Sequence, residues 1–205
     1  MKKNKSSKNW IINQHRDEYF KQSKSLGYRS RAAFKLLELN KKFNFLKKNS
    51  KVLDLGAAPG GWSQVASNYC TKGKVMSVDL KQMTELKNVK FLMMDFRVNE
   101  SKKAIENFFG DKISIILSDM AANTTGNKDL DCIRTNELCM EALKFSLSVL
   151  DNSGVIISKL FNGQDFEAVK KFALSNFKKV RFFKPKSSKD HSKETYIHCC
   201  GLKTL

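Results

Sequence analysis

Apolar residues along this chain follow two alternating rhythms: short continuous runs, and longer stretches where they recur at every third or fourth position. The runs predict strands at 51–57, 74–80, 89–95, 113–120 and 154–161. Segments such as Ile113-Ser-Ile-Ile-Leu117 and Val155-Ile-Ile157 carry too little polarity for a strand with one wet face. They are expected in a parallel sheet covered by helices on both sides. Ala32, Leu36, Leu39, Phe43 and Leu46 recur at helical spacing and predict a helix starting at Ser30, with Lys35 at the edge of its buried stripe. Residues 134–150 and 164–176 read as further amphipathic helices, the first ended by Asp151-Asn-Ser-Gly154. Arg181-Phe-Phe183 and 195–200 read as two last strands joined by a polar loop over 184–193. The pattern predicts an α/β, Rossmann-like doubly wound sheet, whose ligand binds outside the carboxyl ends of the parallel strands where the strand order reverses.

Residues 1–25 lack strong periodicity and read as a flexible basic arm ahead of a single catalytic domain over 26–205. No apolar run approaches the roughly 18 residues of a membrane span, and the polar, basic start carries no hydrophobic leader segment, which points to a cytoplasmic protein. Charge changes the picture more. With 38 Lys and Arg against 20 Asp and Glu the chain carries a formal +18, an excess that indicates a polyanionic partner, nucleic acid first. Residues 1–31 hold nine of the basic residues and two acids. The plainer reading of that run is a solvated basic tail. Cys70, Cys132, Cys139, Cys199 and Cys200 show no Cys-x-x-Cys spacing, and His15, His191 and His198 lack ligand spacing. Neither a disulfide framework nor a metal site is indicated.

The densest chemistry lies in Lys51-Val-Leu-Asp-Leu-Gly-Ala-Ala-Pro-Gly-Gly-Trp-Ser-Gln64, a strand running into a glycine turn and then a helix. The order Gly56-x-x-Pro59-Gly60-Gly61 matches neither a phosphate loop nor a dinucleotide fingerprint. Asp54, just ahead of it, disfavours a triphosphate and suits a cationic ligand. Asp79 and Asp95 end the second and third strands; an acid at the first position commonly takes ribose hydroxyls, although an Asp there also caps helices.

This loop is followed by Ser77-Val-Asp79-Leu, Met94-Asp95-Phe-Arg97, Leu117-Ser-Asp119-Met-Ala-Ala-Asn123 and Ser158-Lys159-Leu-Phe161. Tyr28-Arg-Ser-Arg-Ala-Ala-Phe-Lys35-Leu-Leu-Glu38 stands upstream and Ser192-Lys-Glu194-Thr-Tyr196 downstream. Over residues 26–203 the chain resembles the FtsJ/RrmJ family of RNA ribose 2′-O-methyltransferases. The resemblance implies a seven-stranded sheet with an antiparallel last strand and S-adenosyl-L-methionine as cofactor. It implies Gly60, Trp62, Asp79, Asp95 and Asp119 as cofactor contacts, and Lys35, Asp119, Lys159 and Glu194 as a catalytic tetrad. Trp62 also reads as an aromatic covering the core. Arg29 and Arg31, beside the basic arm, are expected to contact RNA phosphates. Ala122 stands where the family usually has proline, which loosens that loop.

A sulfonium methyl is already electrophilic, so the chemistry needs no metal and no covalent intermediate, only alignment of the ribose oxygen and management of one proton. Lys159 suits either task, as a base or as a charged donor, while a structural salt-bridge network is the bland reading of the same four residues. The short basic arm resembles the bacterial type that acts on a uridine of large-subunit ribosomal RNA, with the large ribosomal subunit as partner. A transfer-RNA or messenger-cap 2′-O-methyltransferase and a non-catalytic RNA-binding assembly factor are the alternatives.

Overall fold

The computed structural model describes residues 17–189 and 191–203, and in them seven strands make one sheet in the order β3-β2-β1-β4-β5-β7-β6. β1 (Lys51–Leu55), β2 (Lys74–Asp79), β3 (Val89–Met93), β4 (Ile113–Ser118) and β5 (Leu150–Phe161) run parallel. β7 (Glu194–Leu202) is wedged antiparallel between β5 and β6 (Phe177–Phe183). The helices are α1 (Glu18–Ser25), α2 (Ala32–Phe43), α3 (Gly61–Tyr69), α4 (Asn99–Phe109), α5 (Lys128–Val149) and α6 (Phe166–Asn176). None of them is long and apolar enough to cross a membrane.

Neighbouring residues within each central strand enter different cores, which is why their apolar runs show no polar alternation. Val52, Ile115, Leu117 and Ile157 pack with Ala33, Leu36 and Leu39 of α2 and Val65 of α3. Leu53, Ile116 and Ile156 pack on the other face with Ile105 of α4, Leu143 of α5 and Val169 of α6. The order reverses between β1 and β4, so the crevice at their carboxyl ends is where a ligand is expected.

Several boundaries differ from the periodicity. Residues 18–25, expected as part of the arm, form α1, whose N-cap Asp17 accepts from the Phe20 N–H and ion-pairs with Arg31; Tyr19 packs on Phe34 of α2. The rest of the expected arm, 1–16, lies outside the described residues. α5 begins six residues before the expected start because the Asn127 side chain caps it, accepting from the N–H groups of Asp129 and Leu130. α2 stops at Phe43, where Asn44 adopts φ 52°, and Leu46 is buried from the following loop instead.

Asp54 is the one wholly polar intrusion into the β1 row. It is 1% exposed, its Oδ2 accepts from Ser63 Oγ at 2.5 Å, and Ser63 Oγ lies 2.7 Å from Ser77 Oγ. Burial drives its pKa up, the Ser63 hydrogen bond opposes this, and the charges of Asp119 and Asp79 add to it, leaving the carboxyl at about 7. The inference of a cationic ligand from Asp54 therefore loses its ground, since this carboxyl faces two serines in the core, where burial favours its neutral form. A raised pKa means that the folded state holds the proton more tightly than the unfolded chain. The associated stability is complete below about pH 4 and is lost as pH rises through about 7. Asp54→Asn should flatten that slope, so that the parent loses a few kcal/mol, in order of magnitude, relative to the variant in denaturant melts between pH 5 and 8; parallel pH profiles would contradict it.

Candidate active site

A cavity of about 650 Å³ opens at the carboxyl ends of β1, β2, β3 and β4, with Gly56, Asp79, Asp95 and Asp119 among its lining residues. The chain enters it through the turn after β1. Gly56 adopts φ +70°, and a Cβ there would come within 2.2 Å of the Met120 side chain, which lines the same cavity. Only glycine lets the backbone pass. Asp79 is held from two sides, its Oδ2 accepting from the Ala58 N–H at 2.8 Å and its Oδ1 from the Lys81 N–H at 2.7 Å. Each oxygen keeps a lone pair for a ligand. Asp95 is gripped by Arg97, whose Nε and Nη2 lie 2.9 and 2.6 Å from its two oxygens. That hydrogen bonding outweighs partial burial and lowers the carboxyl's pKa.

Beside this cavity four charged groups converge from four elements. Asp119 follows β4, Lys159 stands near the end of β5, Glu194 opens β7, and Lys35 comes from α2. The antiparallel register of β7 pairs Phe161 with Glu194 and Lys159 with Tyr196, which carries Glu194 to the ligand edge of the sheet. Lys159 Nζ lies 2.6 Å from Asp119 Oδ1, 3.0 Å from the Asp119 carbonyl oxygen and 3.3 Å from Glu194 Oε2. Lys35 Nζ straddles the Glu194 carboxylate at 2.8 and 2.9 Å. Tyr196, fully buried, donates its hydroxyl to Asp119 Oδ1 at 2.5 Å, and Ser188 Oγ donates to Glu194 Oε1 at 2.7 Å.

Burial alone would lower the pKa of Lys159. The charges of Asp119 and Glu194, with their hydrogen bonds, outweigh it and hold its pKa above an ordinary lysine's. Burial would likewise raise Glu194, but Lys159 and Lys35 beside it push its pKa well below the usual carboxylate range. Tyr196 is raised, first by burial and then by Asp119 and Glu194, and stays a phenol that donates. The site is a nearly dry array of two ammonium groups and two carboxylates, with Asp119 alone of the four reaching the cavity wall.

The model of the FtsJ-like methyltransferase family matches residues 28–202. The chain belongs to that family. It is 47% identical over 199 residues to the ribosomal RNA large subunit methyltransferase E of Pelagibacter ubique, covering 97% of this chain and 98% of that one. It is 40% identical to the protein of the same name from Francisella philomiragia, over 99% of this chain and all of the other. Among solved structures, a Plasmodium falciparum protein described as a ribosomal RNA methyltransferase superposes with a TM-score of 0.76 at 34% identity, covering 85% of this chain and 98% of that one.

Within this FtsJ-like chain the expected site residues divide. Lys35, Asp119, Lys159 and Glu194 meet, and Asp79, Asp95 and Asp119 line the cavity. Trp62 does not line it: the ring is 2% exposed, its Nε1 donates to the Ala32 carbonyl at 2.8 Å and it packs on Tyr196, so it is a core aromatic whose polar atom is already satisfied. Gly60, with φ +102°, is likewise not among the lining residues; a Cβ there would press on Met83 and Arg29 at 2.8 and 3.1 Å, so it is glycine for packing. Gly56 is the glycine that meets the cavity.

Arg29 and Arg31, expected on RNA, are both engaged inside the protein. Arg29 donates to the carbonyl oxygens of Thr84 and Glu85 at 2.6 and 2.5 Å and to that of Pro59 at 3.3 Å. Arg31 pairs with Asp17 and donates to the Ser187 carbonyl. Ala122 donates its N–H to Thr135 Oγ1 at 3.2 Å, a bond that proline could not make, so the departure from the family pattern adds an anchor to the loop. Tyr196 and Ser188 were not singled out in the sequence. The alternation of β7 places Tyr196 on the same face as Glu194, which was the available signal; nothing local marks Ser188.

If Arg29 serves mainly to tie the turn after β1 to the 83–86 segment, Arg29→Ala should cost about 1 kcal/mol in denaturant unfolding and leave the salt dependence of RNA binding unchanged. A salt slope shallower by about one phosphate contact would return Arg29 to the RNA interface.

Proposed function

We propose that this methyltransferase transfers a methyl group from S-adenosyl-L-methionine to a ribose 2′-hydroxyl of RNA, at a uridine of large-subunit ribosomal RNA, with the large ribosomal subunit as partner and the cytoplasm as its place of action. The observation that carries the reading is the buried Lys35–Glu194–Lys159–Asp119 array abutting, through Asp119, a cavity whose wall also holds Asp79 and Asp95 at the strand ends. Those residues fit the cofactor. Asp79 has fixed acceptors for ribose hydroxyls, Asp95 has an acceptor for an adenine amino group, and acidic walls suit a sulfonium. The names of the Pelagibacter and Francisella relatives support the ribosomal substrate, and the +18 charge supports a polyanion.

When bound, the cofactor supplies an electrophilic methyl, so the protein's task is to align an oxygen with it and to let one proton go. Lys159, held charged, sets its positive field beside the 2′-oxygen and steadies the negative charge that grows on it. Asp119 fixes Lys159 in two directions through its side chain and its carbonyl. Glu194 keeps two ammonium groups together and, with its depressed pKa, is a poor proton acceptor. As the carbon–oxygen bond forms and the carbon–sulfur bond breaks, the hydroxyl proton passes to water. This reading makes Lys159 an orienting and stabilising group, whereas the sequence left a base equally open.

Lys159→Ala should keep S-adenosylhomocysteine affinity within a few-fold by calorimetry, in buffer with chelator, and cut methyl transfer by roughly 10² to 10⁴. Asp79→Ala should chiefly raise the cofactor's apparent KM. Lys159→Arg, which keeps the charge and cannot act as a base, should retain more activity than Lys159→Ala; equal inactivity of the two would favour the base. Near-normal single-turnover transfer by Lys159→Ala on subunits lacking the methyl group would leave the array a structural network.

Residues 1–16 carry five Lys and Arg and no acid, and they supply phosphate contacts. Removing 1–16 should weaken RNA binding and flatten its salt dependence while cofactor affinity holds. An unchanged slope would place the RNA contacts elsewhere on the molecule.

A further inference from the structure

One stripe of α2 serves the loop that leads into Glu194. Arg31, Lys35 and Glu38, spaced by four and three residues, fall on one side of the helix. Lys35 holds the Glu194 carboxylate and Arg31 the Ser187 carbonyl. Glu38 has a different task. Its Oε2 accepts from the Lys186 N–H at 2.6 Å and its Oε1 from the Ser187 N–H at 2.9 Å. A carboxylate midway along a helix normally faces water; this one spends both oxygens on two consecutive backbone amides of a remote loop. Ser187 and Ser188, just beyond the clamp, are 0% and 4% exposed within a polar segment, and Ser188 Oγ reaches Glu194 Oε1 at 2.7 Å.

We propose that Glu38 is a positioning residue for methyl transfer. It clamps the loop between β6 and β7 so that Ser188 holds Glu194 where one carboxylate can serve both Lys35 and Lys159. Without the clamp the loop loses two charge-assisted bonds, Ser188 drifts, and Glu194 Oε1 turns toward Lys35 alone. Lys159 then loses the second of its two carboxylate partners and the fixed direction of its ammonium group. Glu38 touches none of the reacting atoms, and its effect runs through Glu194. The inference rests on the proposed methyl transfer.

The test is a cycle in the full chain, with single-turnover methyl transfer measured on large ribosomal subunits lacking the methyl group, for Glu38→Ala and Glu194→Gln, singly and together. Glu38→Ala should lower the transfer rate about ten- to a hundredfold, the range left by misplacing a reacting group by about 1 Å, with S-adenosylhomocysteine affinity unchanged within about threefold. On top of Glu194→Gln it should cost less than threefold more. Hydrogen exchange at the Lys186 and Ser187 amides should quicken in Glu38→Ala, whatever the activity. Equal fold losses in both backgrounds, or exchange unchanged at those amides, would overturn the clamp. If Glu38→Ala does not fold, Ser188→Ala in the same two backgrounds carries the test, with the same non-additivity expected. Failure of the unsubstituted protein to methylate subunits, with the amides still freed by Glu38→Ala, would count against the substrate reading and leave the clamp standing.

Discussion

Two ammonium groups held out of water against one carboxylate are tolerable only if the total charge is balanced, and that balance governs the active-site end of this molecule. Desolvating an unpaired ion costs several kcal/mol after relaxation, and removing one partner of a buried pair typically costs about 3 to 5 kcal/mol. Lys35 and Lys159 are 12% and 8% exposed at their side chains, so Glu194 between them and Asp119 beyond offset the cost of drying them. The four residues belong to α2, the end of β4, the end of β5 and the start of β7. Charge neutrality therefore ties the covering helix to the sheet at the edge where the ligand cavity lies. The antiparallel wedge of β7 is the topological device that makes this possible, since a parallel strand would present its first residue at the far edge.

The cavity and the array divide the work by exposure. Asp79 and Asp95 sit where solvent or a ligand reaches them, each stiffened by donors from the backbone or from Arg97. The array is drier, so its field on a nearby oxygen is less screened. Asp119 belongs to both, lining the cavity while it bonds Lys159 and Tyr196. The residue nearest the border between binding and chemistry is thus held by a phenol that burial keeps protonated.

The central strands were legible because residues such as Ile115 and Ile116, or Ile156 and Ile157, face opposite cores and leave no polar alternation to confuse the reading. That Lys35, Asp119, Lys159 and Glu194 meet, and that Asp79 and Asp95 lie at the cavity, was legible from motif order and from their places near strand ends. Other features depend on partners far away in the chain. α1 is held by a pairing between Asp17 and Arg31, and the start of α5 by a polar cap, and neither leaves an apolar period. Arg29 and Arg31 read as free cations because no local pattern reveals that their acceptors are backbone carbonyls at Thr84, Glu85 and Ser187. Trp62 and Gly60 carried the family's expectation, but packing against Tyr196 and against Met83 decides their surroundings. Asp54 read as a ligand-facing charge, whereas it faces Ser63 inside the core.

Neutralisation also limits what Lys159 can do. A lysine becomes a base at neutral pH when burial or a neighbouring cation is left unopposed. Here burial is opposed by Asp119 at 2.6 Å and Glu194 at 3.3 Å, and the pKa moves up. The other cation, Lys35, does not reverse this, because its ammonium is itself spent on Glu194. An arrangement that keeps the proton on Lys159 suits a reaction whose electrophile needs no activation and whose nucleophile must be turned and steadied.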